Sequence, residues 1–262
     1  MMLVRLLVLL ILLGGGTLGF ARAETVTVAA AANIKFAMED IARNFEQSSG
    51  HKLRVSYGSS GNFASQIRHG APFELFLSAD EQYVNRLQDA GVVQNNGVIY
   101  AYGRLALVAA KSSPLKLDNE FEGLRQLLKT GELKRFALAN PDLAPYGERA
   151  RALLQQADLW DAIKDKLVLG ENVSQAAQFA ISGSAQGGIV ALSLAVAPQF
   201  RTKANYLPIP EDQHQPLAQR MVLMPRASAA ANSFYQYLQG DEARKVFADY
   251  GFSLPTKAHG AP

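Results

Sequence analysis

Apolar positions recur at two spacings along this chain, and the two spacings take turns. "TVTVAAAA" (25–32) alternates Val26 and Val28 with threonines, the period of a strand. "IKFAMEDIARNFEQSSG" then sets Ile34, Met38, Ile41 and Phe45 on one helical stripe, with Gly50 as its stop. The exchange repeats. "HKLRVSYG" reads as a strand before the short helix "NFASQIRHG", and "FELFLSAD" as a strand before the helix "EQYVNRLQDAG". Such β-α-β-α-β-α alternation predicts a parallel sheet covered by helices on both faces.

A second series opens at "RLALVAAK" (104–111). "FEGLRQLLKTG" is helical and "RFALANP" is a strand ending in a turn. "YGERARALLQQADLWDAIKDKL" is one helix or two short ones. "QAAQFAISG" is helical, and "QGGIVALSLAV" begins as a buried strand. "RMVLMPRAS" is a late strand, and "AANSFYQYLQGDEARKVFADYGF" gives two helices around Gly240. The aromatic residues there fall at helical spacing and are expected in the core. No Pro/Gly-rich linker parts the two series near Tyr100 to Arg104. The expectation is an α/β protein of two lobes, each a mostly parallel sheet flanked by helices. Residues 24–103 begin lobe I, 104–205 form lobe II, and 206–262 return to lobe I with the C-terminal helices.

The start of the chain is unlike the rest. Arg5 precedes an unbroken apolar run from Leu6 to Leu13, and "ARA" (21–23) offers small residues to a signal peptidase. Residues 1–23 read as a secretory signal peptide cleaved after Ala23. The run is too short to span a bilayer. The mature protein is therefore expected in the periplasm. Arg5 and Arg22 leave with the signal, so the 26 basic residues fall by two to 24, against 23 acidic ones. A near-neutral chain gives no electrostatic case for nucleic acid. Cysteine is absent, so the core alone must hold the fold, and no lipid-modified cysteine is possible.

Four segments combine a turn, a small or hydroxyl residue and a helix start: Ala31–Ala32–Asn33, Ser59–Ser60–Gly61, Pro145–Tyr146–Gly147 and Asn172–Val173–Ser174. In open α/β sheets such turns lie at the carboxyl edge, where ligands bind. Each helix start presents unpaired N–H groups and a partial positive charge. Several of them in one cleft would hold an anion without a cationic side chain. Taken singly, each is also an ordinary capping sequence.

The same segments carry a family resemblance. "AAAANIKFAMEDIARNFE…VSYGSSGNFASQIRHGAPFELFLSAD", "YAYGRLALV", "LANPDLAPYGERARALL", "ENVSQA", "GGIVALS" and "FADYGF" together resemble the periplasmic molybdate-binding proteins of ABC transporters. The resemblance runs in order along essentially the whole mature chain. It implies a type II periplasmic binding fold whose lobes close over molybdate or tungstate, and a membrane permease as partner. It implies ligand positions at Asn33 with the Ala32 backbone, Ser60, Tyr146 and the Val173 backbone, with Ser59 adjacent. It implies a monomer with no cofactor and no catalytic residue. There are departures. Asn33 stands where some members have serine, Ala191 where some have a tyrosine, and Glu74 where aspartate is common. Tyr146 is expected to supply the missing phenol from another loop.

Chemistry favours the same ligand class. Hydrogen phosphate carries a proton and gains from a carboxylate acceptor, whereas a fully deprotonated tetrahedral dianion needs donors only. Asp142, Glu148 and Glu171 near the turns are expected to be solvated or to sit in first helical turns. Sulfate is the alternative ligand, separable only by pocket size. A serine hydrolase is a remote alternative. Ser60 would need a base, and His69 lies about 13 Å along the same helix. The four scattered histidines give no metal-ligand spacing. Hinges are expected near Ala101 to Arg104 and Tyr206 to Leu217.

Overall fold

The computed structural model describes residues 23–256. The expected signal segment lies outside the described residues except for Ala23. The first elements of the described residues are β1 (Thr25–Ala31), a single 3-10 turn (Ala32–Ile34) and α1 (Lys35–Ser49). Then come β2 (Lys52–Gly58), α2 (Ser60–Arg68), β3 (Leu75–Leu77), α3 (Glu81–Asp89) and β4 (Val98–Gly103). The second lobe holds β5 (Leu105–Ala110), α4 (Glu122–Lys129), β6 (Phe136–Ala139), α5 (Pro145–Gln156), α6 (Trp160–Ile163) and β7 (Leu167–Gly170). It continues with α7 (Val173–Ile181), β8 (Gly187–Ala191), α8 (Leu192–Ala195), α9 (Pro198–Arg201) and β9 (Ala204–Pro208). β10 (Leu217–Leu223), α10 (Ala229–Tyr237) and α11 (Asp241–Asp249) follow.

The strands form two five-stranded sheets, ordered β2-β1-β3-β10-β4 and β7-β6-β8-β5-β9. Each sheet is mostly parallel as expected, four strands running one way, with a single opposed strand that makes it mixed. β1 pairs in parallel with β2 and β3, but β10 runs antiparallel to β3 and β4. Likewise β6 is parallel to β7 and β8, while β5 is antiparallel to β8 and β9. β9 extends to Pro208 in the second sheet, so a return to the first at residue 206 would cut it. The chain re-enters the first sheet at Leu217.

Burial follows from these layers. β1 sits between α1 on one face and α2 with α3 on the other, so Val26, Val28 and Ala29 to Ala31 are all buried. One face packs Met38, Ile41, Phe45, Phe234 and Phe247; the opposite face packs Phe63, Ile67, Tyr83, Val84 and Leu87. The second lobe has one core, which also takes in Ala31, Phe36 and Ala79 of the first. Phe36 meets Phe200 edge-on at 5.7 Å across that junction. The long stretch after Tyr146 is two helices, broken where Asp158 adopts φ 55°.

Candidate functional site

All four turns leave the carboxyl ends of parallel strands: β1, β2, β6 and β7. Direct bonds tie the turns of the two lobes together. The Gly61 N–H donates to the Leu143 carbonyl at 3.0 Å. Asn62 Nδ2 donates to Glu171 Oε1 at 3.0 Å. Asn33 Nδ2 donates to the Tyr146 hydroxyl at 3.3 Å, and Ser193 Oγ donates to the Asn33 carbonyl at 2.8 Å. The expected site residues Ala32, Asn33, Ser59, Ser60, Tyr146 and Val173 are all buried within this junction.

Capping sorts their donors. In α2, Ser59 Oγ accepts the Asn62 amide at 3.3 Å, and Gly61's amide reaches Leu143. That leaves the first amide of the helix, Ser60's, without a protein acceptor among the described residues. In α7, Asn172 Oδ1 accepts from Ser174 and Gln175 at 3.0 and 3.1 Å, again leaving the first amide, Val173's. α5 begins with Pro145, which has no N–H, so Tyr146 carries its first amide. Two hydroxyls add to these. Ser60 Oγ accepts the Ala79 amide at 2.9 Å, which leaves its own hydrogen to give. Tyr146 Oη accepts from Asn33 Nδ2 and, at 3.0 Å, from Gln219 Nε2, and so does the same. Burial keeps the Tyr146 phenol protonated, pushing it well above its ordinary value despite the two amides.

Asn33 turns its side-chain amide into the junction. Its second amide hydrogen goes to Gln219 Oε1 at 3.0 Å, so both hydrogens are engaged inside the protein, and its buried Oδ1 has no partner. In this arrangement its side chain supports the Tyr146 hydroxyl. Ser59 is a helix cap. Gln219, with Tyr100 donating to its Oε1 at 2.8 Å, belongs to the site although no motif marks it.

Charge near the junction is paired. Arg149 meets Asp80 at 2.7 Å and Glu148 at 3.2 Å, and Gln82 reaches Glu148 from the other lobe at 3.2 Å. Burial raises the Asp80 carboxyl above its ordinary value, outweighing the Gln82 amide and the Arg149 charge that pull it down. Glu148 and Glu171 thus bridge the lobes instead of only facing water. His69 turns its ring to the Ser65 carbonyl at 2.7 Å and not toward Ser60. Among the described residues no group of three or more His, Cys, Asp or Glu is placed to hold a metal ion.

Comparison with known proteins adds to this geometry. The family model for bacterial extracellular solute-binding proteins matches residues 26–253. The molybdate-binding protein ModA of Azotobacter vinelandii is 38% identical over 250 residues, covering 94% of this chain and 97% of its own. The protein of the same name from Rhodobacter capsulatus is 34% identical over 235 residues, covering 88% and 89%. The solved structure of the Azotobacter vinelandii periplasmic molybdate-binding protein superposes with a TM-score of 0.80 at 28% identity, covering 88% of this chain and all of that one.

Proposed function

The chain belongs to the bacterial extracellular solute-binding protein family, and from that premise we propose that it captures molybdate or tungstate and delivers it to an ABC-transporter permease. The observation that carries this reading is the donor set. Among the described residues five hydrogens at the junction have no protein acceptor: the Ser60, Tyr146 and Val173 amides and the Ser60 and Tyr146 hydroxyls. They come from both lobes, and the nearby arginine is already matched by two carboxylates. Hydrogen bonds to a charged group contribute about 1.5–3 kcal/mol each. Five at about 2 kcal/mol total roughly 10 kcal/mol, within the roughly 8–12 kcal/mol of micromolar to nanomolar binding. Helix dipoles alone, at about 0.3–1 kcal/mol each, would fall short.

The ligand positions are Ser60, Tyr146 and the Val173 backbone, with the Ala32–Asn33 turn closing the far side and Ser59 holding the α2 start in place. A dianion that receives hydrogens from both lobes favours the closed form over the open one, which makes binding and hinge closure one event. The protein performs no chemistry on its ligand. It works as a monomer in the periplasm after cleavage behind Ala23, takes no cofactor and does not bind nucleic acid. The relatives named for molybdate support the choice of oxyanion.

Calorimetry of residues 24–262 against molybdate, tungstate, sulfate and hydrogen phosphate tests the reading. The expected result is tight binding of the first two, weaker binding of the smaller sulfate and none of hydrogen phosphate. Preference for sulfate or phosphate, or no heat with any of the four, overturns it.

A further inference from the structure

Gln219 lies in β10, in the first lobe, and is fully buried. The β4–β10 ladder slips at this point: Gln219 faces Ala101 and Arg220 faces Ile99, so Tyr100 is the extra residue of a bulge. Bulges re-aim side chains, and this one brings the Tyr100 hydroxyl to Gln219 Oε1. Arg220, the next residue, points the other way, toward Glu81 at 2.5 Å. Gln219 therefore turns inward with its carbonyl oxygen occupied twice, by Tyr100 and by Asn33. That fixes which end of the amide faces Tyr146: the Nε2 end, which can only donate. The space for the meeting exists because residue 103 is glycine. A Cβ there would overlap both the Tyr146 hydroxyl and the Gln219 amide.

A phenol oxygen that already accepts two amide hydrogens has no acceptor capacity left, and its own hydrogen must point elsewhere. We infer that Gln219 is a positioning residue for anion capture: its amide, bridging from the first lobe to Tyr146 in the second, holds the phenol as an obligate donor to the oxyanion. This rests on the oxyanion-binding reading above. It also gives selectivity a local cause. A ligand bearing a proton finds no lone pair on Tyr146 to receive it, so this position favours a bare dianion over hydrogen phosphate.

The test is a double-mutant cycle read by calorimetry with molybdate. Gln219→Leu is expected to weaken binding about tenfold in the native background, the worth of one well-placed donor. In a Tyr146→Phe background the same substitution is expected to change affinity less than about twofold, because no phenol remains to be aimed. Gln219→Asn, one methylene short but still polar, is the second variant and should behave as the leucine does. It keeps the measurement alive should the leucine variant fail to fold. Equal losses with and without the phenol would mean that Gln219 only supports the fold, and the inference falls. If the unaltered protein bound none of the oxyanions, it is the functional reading that fails.

Discussion

A serine hydroxyl has one hydrogen to give, and what its oxygen accepts decides where that hydrogen points. Ser59 and Ser60 are adjacent, yet they accept from different places. Ser59 caps α2 through Asn62, three residues on, whereas Ser60 accepts from Ala79 on the next strand-to-helix turn. Ser60→Ala is accordingly expected to weaken molybdate binding by about 1.5–3 kcal/mol and, because it strands the buried Ala79 amide, to lower stability by about 1–3 kcal/mol. Ser59→Ala is expected to cost about 1 kcal/mol of stability and to leave affinity nearly unaltered. Calorimetry of the two variants side by side distinguishes the roles; lost affinity in Ser59→Ala with none lost in Ser60→Ala would reverse the assignment. The pair itself was legible in the sequence. The division between them was not, because it depends on Ala79 being folded against Ser60 from 19 residues away. Gln219 was still less legible. One glutamine in "LAQRMVL" carries no motif; alternation puts it on the buried face with Leu217 and Met221, but nothing in the sequence says what it meets there.

Glu74 shows how one carboxylate joins elements. It precedes β3, accepts the Thr27 amide of β1 at 2.9 Å, and accepts the Ser228 amide before α10 at 3.1 Å. Burial acts to raise its carboxyl, but the hydrogen bonds from Ser228 and Thr27 outweigh that and hold it below its ordinary value. A lowered folded-state value means that the charge stabilises the protein above the unfolded value near 4.5, and that this contribution is lost as pH falls through the folded value. Glu74→Gln is expected to lower stability by about 1 kcal/mol at pH 7. Its melting temperature should approach that of the unaltered protein as pH drops below about 4.5. A gap that is constant from pH 7 to pH 3.5 would remove the charge from the account. Elements with a clear period, such as β1, α1 and α3, were legible from the pattern alone. β7 and β9 were not, since each is a short, half-exposed edge strand whose burial does not alternate. β5 and β10 were legible as strands, but their antiparallel direction was not. Alternating strands and helices imply parallel neighbours, but these two strands mark where the chain changes lobes, and the crossing sets their direction.

At the scale of the whole molecule, two lobes meet through Asn33–Tyr146, Gly61–Leu143, Asn62–Glu171 and Asp80–Arg149. These bonds exist only when the lobes are together, so they belong to the closed form. The buried pair of Asp80 and Arg149 adds little net energy, since removing both charges from water offsets most of their attraction. Its side chains, 6% and 12% exposed, fix the register of closure more than its strength. On the proposed function, the balance between open and closed is one that an oxyanion tips. Gly61 tests this. It donates across the cleft to the Leu143 carbonyl, and a Cβ on it would stand 2.7 Å from that same oxygen. Both atoms are backbone and cannot swing aside, so Gly61→Ala should disfavour closure by about 1–3 kcal/mol while each lobe stays folded. A ligand that needs the closed form then binds roughly 5- to 150-fold more weakly, in proportion to the lost population. Small-angle scattering should show the native protein contracting on adding molybdate and the variant contracting less at equal ligand. A variant with native affinity and full contraction would show that capture is complete within one lobe, and that closure adds nothing to it.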